Sequence, residues 1–451
     1  MAVEKRTLSR PRTRVVLATA AVLGLALTTA CSSSSSAKPA AASTAGALSA
    51  PVTLTFWTWT PAAAPTVALF EKQYPNIKVN VVNAGQSAAE YTKLETAVKA
   101  GSGAPDVAQI EYFALPQFAI AKQVVNLDAY GAQALQSKYT ASAWAQVAID
   151  GGVYAYPQDT GPLTMFYRSD IFKKLGLTPP TTWAQFATDA AKIHAANPAD
   201  YITSIDPGDA GGVDSLIWQA GGKSFQTSGS SDVTVNLADS GAARVSSLWT
   251  GLVKNKLVDP TPGWTPDWWK GMASGKYAMW ITGAWAPGNI ASTIPQTAGK
   301  WAAAPVPQWT AGADVSSQNG GSSDAVISTS THKAAAALFA QWLNSDPVAT
   351  KSLSQNGLFP ATSAMLNDPA FLDEPIAVLG GQEANKVYAA SSAAVAPGWQ
   401  YLPFQVYANS VFPDTVGQAL TNGTDMQAGL SAWQKQITAY GSQQGFTVTS
   451  G

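Results

Sequence analysis

The sequence is poor in cysteine and in charge, and both shortages exclude whole classes of protein. One cysteine among 451 residues rules out a disulfide within the chain. Charged residues make up 12% of the chain, which is about half of the roughly 25% found in average globular domains. The 27 basic and 28 acidic residues nearly cancel. The chain therefore lacks the electrostatic footprint of a nucleic-acid-binding protein, and we expect no nucleic-acid partner.

Histidine is almost as scarce, which limits the chemistry available to the chain. His194 falls in a predicted helix and His332 in a predicted connecting segment. Two isolated histidines and one cysteine provide neither a cluster of metal ligands nor a nucleophilic triad. No glycine-rich phosphate-binding loop occurs either. We therefore expect no metal ion, no cofactor and no enzymatic activity.

Tryptophan is the residue that the sequence has in excess, with 16 copies. Two of them, Trp57 and Trp59, stand in the stretch VTLTFWTWTP, where apolar residues alternate with threonine as in a β-strand. A large aromatic ring is costly to leave in water, so each must be covered either by the protein core or by a ligand. With so little charge, the composition favours recognition of a neutral polar partner.

The N-terminus has the pattern of a secretory signal. Five basic residues lie between Lys5 and Arg14, and the apolar run of residues 15–27 follows them. This run is too short to span a bilayer comfortably. The single cysteine, Cys31, comes shortly after it and resembles the lipidated cysteine of a bacterial lipobox. Because Thr28 stands where leucine is usual, an ordinary signal peptide is the alternative interpretation.

We predict that residues 1–31 are a lipoprotein signal peptide, with lipidation at Cys31. Residues 32–50 are rich in serine and alanine and contain too little apolar surface to fold, so they are predicted to form a flexible tether. A globular body would then hang from a lipid anchor.

Three β-α units are predicted at the start of this body. Strand patterns near residues 52–57, 77–81 and 107–110 are separated by amphipathic helical patterns. Connections of this length require parallel strands, and open parallel sheets bind ligands beyond the carboxyl ends of their strands. Glu111 and the two tryptophans of the first strand lie at that edge.

Eight segments, taken in order, carry a resemblance to a known family. They are TLTFWTW, YPNIKVNV, GSGAPDV, YAYPQDTGPLTMFYRSDIFKKLGLTPPTTWAQF, GKYAMWITGAW, GGSSDAVIS, QWLNSDPVATK and GLFPATSA. In this order, and behind a lipoprotein-type signal, the chain resembles the extracellular solute-binding proteins of ABC-type sugar importers, the family that includes maltose-binding protein. The resemblance covers essentially the whole mature chain.

The resemblance implies an α/β fold of the two-lobe, type II periplasmic-binding-protein kind, whose hinge lets the lobes close on a ligand. The first lobe is predicted to comprise residues 51–158 plus 304–330, and the second residues 159–303 plus 331–451. The implied protein is a monomeric receptor, anchored as a lipoprotein to the outer face of the cell membrane. It would capture an oligosaccharide and deliver it to the transmembrane permease subunits of the importer.

A sugar-binding cleft needs aromatic platforms for the C–H faces of the rings and carboxylates for the hydroxyl groups. The predicted stacking residues are Trp57, Trp59, Trp218, Trp285 and Trp399; the predicted hydroxyl acceptors are Asp106, Glu111 and Asp159; and Gly321 would let the backbone approach the ligand. Trp285, in the segment ITGAW, is implied by the resemblance. For most of these residues an ordinary structural role is the alternative. Trp264, Trp268 and Trp269 are predicted to pack a helix instead.

Two other functions remain open from the sequence. A secreted glycoside hydrolase would need a pair of carboxyl groups roughly 5–10 Å apart, which Asp159 and Glu111 could supply, although no neighbouring residue indicates acid–base tuning. A binding protein of this fold for a non-sugar solute, such as a polyamine or an iron chelate, would need a carboxylate cage or clustered tyrosine and histidine. The tryptophan-rich, charge-poor composition argues against it.

Overall fold

The computed structural model describes residues 50–451, and a parallel sheet forms first along the chain. Strand β1 (Val52–Trp57) lies between β2 (Ile77–Val82) and β3 (Val107–Glu111) and pairs with both in parallel. Helices α1 (Ala63–Gln73) and α2 (Ala88–Ala100) make the two connections. The alternation in β1 buries Leu54 and Phe56 completely, as a sheet covered by helices requires.

A strand from much later in the chain completes this first sheet. Strand β14 (Ser322–Val326) runs antiparallel to β3 and is followed at the edge by β6 (Tyr156–Pro157), which gives the order β2-β1-β3-β14-β6. Helix α11 (Lys333–Ser345) then packs on the same sheet, and α12 (Pro347–Gln355) packs against α1 and α11.

The packing of α11 and α12 corrects the predicted boundary of the first lobe. Residues from 331 onward were expected in the second lobe, but Phe339 contacts Phe56 with ring centroids 5.4 Å apart. Leu343 and Leu353 belong to the same buried core. An apolar helix face does not reveal which sheet it covers, and here it covers the sheet formed by the first strands.

A second sheet organises the other half of the molecule. We call the part built on the first sheet the first half and the part built on this sheet the second half. Strand β7 (Leu163–Arg168) lies between β12 (Met279–Gly283) and β13 (Trp301–Pro305), antiparallel to both. Val306 is buried in this half. Residues 304–306 therefore belong to the second half. They had been predicted in the first lobe. The chain returns to the first sheet only at β14.

The remaining described elements connect the two sheets, cover them or form three further small sheets. The helices are α3 (Leu115–Ile120), α4 (Ala141–Val147), α5 (Ser169–Lys174), α6 (Trp183–Ala196), α7 (Ala210–Gln219), α8 (Ser240–Lys254), α9 (Pro266–Ser274), α10 (Ala286–Thr293), α13 (Ser363–Leu366), α14 (Pro369–Leu372), α15 (Asn385–Ala393), α16 (Gln405–Val411), α17 (Gln418–Thr421) and α18 (Met426–Gln443). The strands are β4 (Ala148–Ile149), β5 (Gly152–Val153), β8 (Thr203–Ile205), β9 (Phe225–Ser228), β10 (Asp232–Val235), β11 (Val258–Pro260) and β15 (Thr447–Ser450). Within residues 50–451, no helix has both the length and the apolar character needed to cross a membrane.

Local signals in the sequence explain where one of the longer helices begins. Thr182 caps α6, because its hydroxyl accepts the backbone N–H of Gln185 at 3.1 Å. The apolar stripe of α6, which includes Trp183 and Phe186, is buried. The mixed helix and strand architecture around two sheets confirms the predicted α/β fold.

Candidate functional site

A chamber of about 230 Å³ lies between the two halves of the molecule, and we call it the cleft chamber. Its lining residues are Ser87, Glu111, Tyr112, Phe113, Gly208, Asp209, Ala210, Gly211, Asp214, Asn319, Gly320, Gly321, Tyr401 and Asn409. The first half contributes the segments that follow β2 and β3, and the second half contributes the start of α7. The chamber therefore occupies the edge of the parallel strands where open α/β sheets bind ligands.

Glu111 is the last residue of β3, and a tyrosine of α2 holds its side chain. The hydroxyl of Tyr91 donates to Glu111 Oε2 at 2.9 Å and accepts the backbone N–H of Glu111 at 2.9 Å. Burial raises the pKa of Glu111, and hydrogen bonds from Ser87 and Tyr91 oppose that rise. Asp209, from the second half, raises this pKa further, because two like charges disfavour ionisation of either.

Asp209 caps the helix that enters the chamber from the second half. Its Oδ1 accepts the backbone N–H of Gly212 at 2.9 Å, which satisfies one of the free donors at the start of α7. Burial raises the pKa of Asp209 to about 6, although hydrogen bonds from Gly212 and Gly211 favour the charged form. This carboxyl group lies in the wall of the chamber. Its hydrogen bonds offset only part of the effect of burial on its pKa.

Asp214, further along α7, carries a buried oxygen without a hydrogen-bond partner among the described residues. The residue is 3% exposed. Gln405 Nε2 donates to Asp214 Oδ2 at 3.3 Å, whereas Oδ1 has no hydrogen-bond partner among the described residues. Burial, followed by the charge of Asp209, raises the pKa of Asp214 well above its usual value. Leaving such an acceptor unsatisfied costs about 1–3 kcal/mol, which a hydroxyl group of a ligand would recover.

Two glycines that directly precede β14 bring the backbone into the chamber wall. Gly320 and Gly321 adopt φ angles of +80° and +107°. A Cβ atom on Gly321 would lie 2.6 Å from the ring of Tyr112, closer than any real contact. Only glycine combines that backbone conformation with that close approach.

A smaller pocket of about 70 Å³ adjoins the cleft chamber, because Asp209 and Asn319 line both cavities. We call it the tryptophan pocket after the five indoles in its lining, Trp249, Trp264, Trp268, Trp280 and Trp285. Trp264 and Trp285 stack with ring centroids 5.7 Å apart and 29° between the ring planes. The indole N–H of Trp285 donates to the backbone oxygen of Asn319 at 2.8 Å, which fixes this ring beside the residues that precede β14.

Trp264 differs from the other tryptophans of the pocket in exposure and in backbone geometry. It is 52% exposed, and its φ angle is +62°. A bulky residue in the left-handed region is an outlier, and such strain persists where the surrounding structure enforces it, often at ligand sites. Trp264 was predicted from the sequence to pack a helix, but its position beside Trp285 makes it a candidate for the site.

The charge of the two cavities restricts what they can bind. Neither lysine, arginine nor histidine is among the residues that line them. Within residues 50–451, no group of three or more histidine, cysteine, aspartate or glutamate side chains is placed to hold a metal ion. Acceptor oxygens beside aromatic faces, without a cation, suit a neutral ligand rich in hydroxyl groups.

Comparison with known proteins then decides the family. The sequence profile of the family described as bacterial extracellular solute-binding protein matches residues 52–350. The chain belongs to this family. The match confirms the resemblance found in the sequence, and the proteins of this family act outside the cytoplasm.

Relatives of this solute-binding protein include several that are named for sugars. It is 27% identical over 298 residues to the lactose-binding protein of Rhizobium radiobacter, which covers 62% of this chain and 67% of that protein. The ABC transporter associated binding protein of B. animalis subsp. lactis Bl-04, solved in complex with β-1,6-galactobiose, is 41% identical with a TM-score of 0.79, covering 88% of this chain and 100% of that one. The galacto-N-biose/lacto-N-biose I-binding protein of Bifidobacterium longum, solved with lacto-N-biose, is 26% identical with a TM-score of 0.78, covering 88% and 99%.

Three of the residues predicted from the sequence line the cavities of this solute-binding protein. Glu111 and Gly321 line the cleft chamber, and Trp285 lines the tryptophan pocket. Their contact with a ligand stays a prediction, but the fold brings all three to one place.

Trp57 and Trp59 lie beside the cleft chamber and are not part of its lining. Trp57 ends β1 and is half-buried against the first core. Trp59 packs edge-on against Tyr91 at 6.5 Å, and Tyr91 is the ring that holds Glu111. Trp59 therefore supports an acceptor of the chamber, and direct contact of either tryptophan with a ligand stays a prediction.

Asp106 and Asp159 have structural roles that the sequence could not separate from binding. Asp106 precedes β3, at the opposite end of that strand from Glu111, and its two oxygens accept the backbone N–H of Thr55 at 2.8 Å and the hydroxyl of Ser330 at 2.5 Å. Asp159 is buried, and its Oδ1 accepts the backbone N–H of Ser322 at 2.7 Å. Neither carboxyl group lines the chamber, and contact of either with a ligand stays a prediction.

Trp218 and Trp399 also have a structural role, and contact of either ring with a ligand stays a prediction. Their rings stack on each other with centroids 5.4 Å apart and 6° between planes, and both are at most 4% exposed. The indole N–H of Trp218 donates to the backbone oxygen of Ala396 at 2.7 Å. This pair belongs to the core of the second half, and neither ring lines the cleft chamber.

Asp209, Asp214, Tyr401 and Asn409 were not predicted from the sequence. A signal existed for Asp209, because the aspartate of the segment PGDAGG is a residue type that commonly begins a helix. No comparable signal pointed to Asp214, Tyr401 or Asn409, which reach the chamber only through tertiary packing.

Proposed function

We propose that this chain is the substrate-binding component of an ABC-type carbohydrate importer, which captures an oligosaccharide in the cleft chamber and the adjoining tryptophan pocket. The ligand hydroxyl groups would donate to Glu111, Asp209 and Asp214, and a sugar ring would stack on Trp264 or Trp285. Ligand contacts from both halves would stabilise the closed arrangement that a permease recognises.

The observation that carries this proposal is that the two cavities adjoin each other. Asp209 and Asn319 line both of them, so a ligand that reached both would meet acidic acceptors at one end and aromatic faces at the other. A sugar presents hydroxyl donors around its rim and C–H groups on its faces. The names of the relatives support the same class of ligand, and β-1,6-galactobiose is the first probe they suggest.

A thermal-shift screen tests the proposal. Because a ligand that binds only the folded state raises the melting temperature, β-1,6-galactobiose, lactose, lacto-N-biose and arabinooligosaccharides would be compared with galacturonic acid and spermidine. We expect at least one neutral oligosaccharide to raise the melting temperature, and neither control to do so. A shift by spermidine alone would favour the non-sugar alternative.

We propose that the protein binds its sugar without hydrolysing it. Family membership supports this, because the family is defined by solute binding. Prolonged incubation of the purified protein with a bound oligosaccharide, followed by chromatography of the sugar, should return it intact. Release of shorter sugars would establish the glycoside hydrolase alternative.

We also propose that the protein is a monomer attached through Cys31 to the outer face of the cell membrane. Cys31 and the signal segment lie outside the described residues, so the support comes from the sequence pattern alone. Metabolic labelling with a fatty-acid analogue should mark the wild-type protein and not a Cys31→Ser variant. Equal labelling of both would contradict the anchor.

A further inference from the structure

A second and larger cavity lies next to the cleft chamber. It measures about 610 Å³, more than twice the volume of the chamber, and we call it the side groove. The first half contributes α3 and the segment around the hairpin of β4 and β5, and the second half contributes residues 227–230 and 399–403. Its lining includes the aromatic residues Tyr154, Trp399 and Tyr401, several amide and hydroxyl side chains, the charged residues Lys122 and Asp150, and a number of aliphatic residues.

Tyr401 is the residue that the lining of the side groove shares with that of the cleft chamber. Rings from both halves hold it in place. Phe113, from the first half, meets it edge-on at 6.5 Å, and Trp399, from the second half, meets it edge-on at 6.2 Å. Edge-to-face pairs at these separations are favourable, so Tyr401 forms a packed wall between the two cavities.

The chamber offers a hydroxyl acceptor close to this wall. Burial raises the pKa of Tyr401, and the nearby carboxyl groups of Asp214 and Glu111 add to the rise. Asp214 Oδ1 is the buried oxygen that lacks a partner among the described residues. A sugar ring that donates a hydroxyl to this oxygen would have its next position along the chain blocked by the ring of Tyr401.

We propose that Tyr401 closes this end of the cleft chamber and thereby limits the length of the oligosaccharide that the protein accepts. The inference rests on the proposed function and adds the residue that sets chain length. Removing the ring would join the chamber to the side groove, whose aromatic and amide lining would accept further sugar rings. Tyr401 is thus a specificity-determining residue.

The test compares a series of chain lengths on matched variants. Dissociation constants would be measured by calorimetry for β-1,6-galactobiose, galactotriose and galactotetraose on the wild-type protein, Tyr401→Ala and Tyr401→Phe. We expect the wild type to bind the biose at least about tenfold more tightly than the tetraose. Tyr401→Ala should reduce this ratio by about tenfold, and Tyr401→Phe should keep it, because the ring rather than the hydroxyl blocks the path.

Phe113→Ala provides a second opening of the same wall from the other half. It should reduce the length ratio in the same direction, which keeps the test decisive if Tyr401→Ala does not fold. Equal affinity of the wild type for all three lengths would overturn the inference while leaving the proposed function intact. An unchanged ratio in both folded alanine variants would also overturn it. If no galactooligosaccharide and no other sugar bound any variant, both the inference and the proposed function would fall.

Discussion

Two pairs of tryptophans stack in this protein, and they differ in what covers their outer faces. Trp218 and Trp399 lie almost parallel, with 6° between their rings, and both are buried. Trp264 and Trp285 are tilted by 29°, and Trp264 leaves 52% of its surface in water. The protein itself covers the first pair, whereas the exposed ring of Trp264 leaves room for another flat apolar surface against the second pair. Stacking alone therefore does not distinguish a core from a binding site.

The largest effect that separates the two pairs should be on stability. Trp218→Ala removes a fully buried ring that also donates to the backbone of Ala396, and large-to-small changes of an aromatic core residue cost about 3–5 kcal/mol. Urea denaturation should show this loss as a lower midpoint with little change in slope. A loss below about 1 kcal/mol would mean that the first pair is not a core element.

The next effect should be on ligand affinity. Trp285→Ala should weaken sugar binding by about 0.5–1.5 kcal/mol, the range expected for an aromatic contact, which is roughly 2- to 13-fold in Kd. The matched control is Trp301→Phe, a conservative change of a buried ring at the start of β13, which should leave Kd unchanged. If Trp285→Ala bound the sugar as tightly as the wild type, the tryptophan pocket would be removed from the site.

A smaller effect should come from the backbone at Trp264. Because this residue has a φ angle of +62°, Trp264→Gly should be more stable than Trp264→Ala by about 0.4–1 kcal/mol. Both variants should weaken sugar binding to the same extent, since both lack the ring. Equal stability of the two variants, measured by urea denaturation, would contradict the strain assigned to Trp264.

A pH trend in stability should arise at buried carboxyl groups rather than at either tryptophan pair. Burial raises the pKa of Asp209 to about 6 and that of Asp159 to about 7. The folded state thus binds protons more tightly than the unfolded state, so these groups stabilise the fold at acidic pH, and that stabilisation is lost as pH rises through the folded-state pKa values.

The melting temperature of the ligand-free protein should therefore fall between about pH 5 and about pH 8. Asp209→Asn should flatten part of that slope, because asparagine does not titrate. A melting temperature that rises across this range would contradict the sign derived from burial.

Much of the fold could be predicted from periodic patterns within short stretches. The alternation of β1 is such a local feature, and the structure confirms the strand. The lobe boundary could not be predicted in the same way. Helix α11 is amphipathic, but its apolar face would fit either sheet, and only the contact between Phe339 and Phe56 settles which one it covers.

The candidate site was less predictable because side-chain direction depends on distant partners. Glu111 and Asp106 flank the same strand, and only the residue at the carboxyl end reaches the chamber. Trp218 is covered by a ring 181 positions away in the chain, so no local pattern could show that it is buried. Tyr401 reaches the chamber only because the second half packs against Phe113.

The exposure of Trp264 has a practical consequence for following this protein in solution. Its indole is the one among the described residues with more than half of its surface in contact with water, so a neutral quencher such as acrylamide reaches it more easily than the buried rings. A sugar that stacks on it would shield it from the quencher. The protein therefore carries its own optical probe, which would report occupancy without any added label.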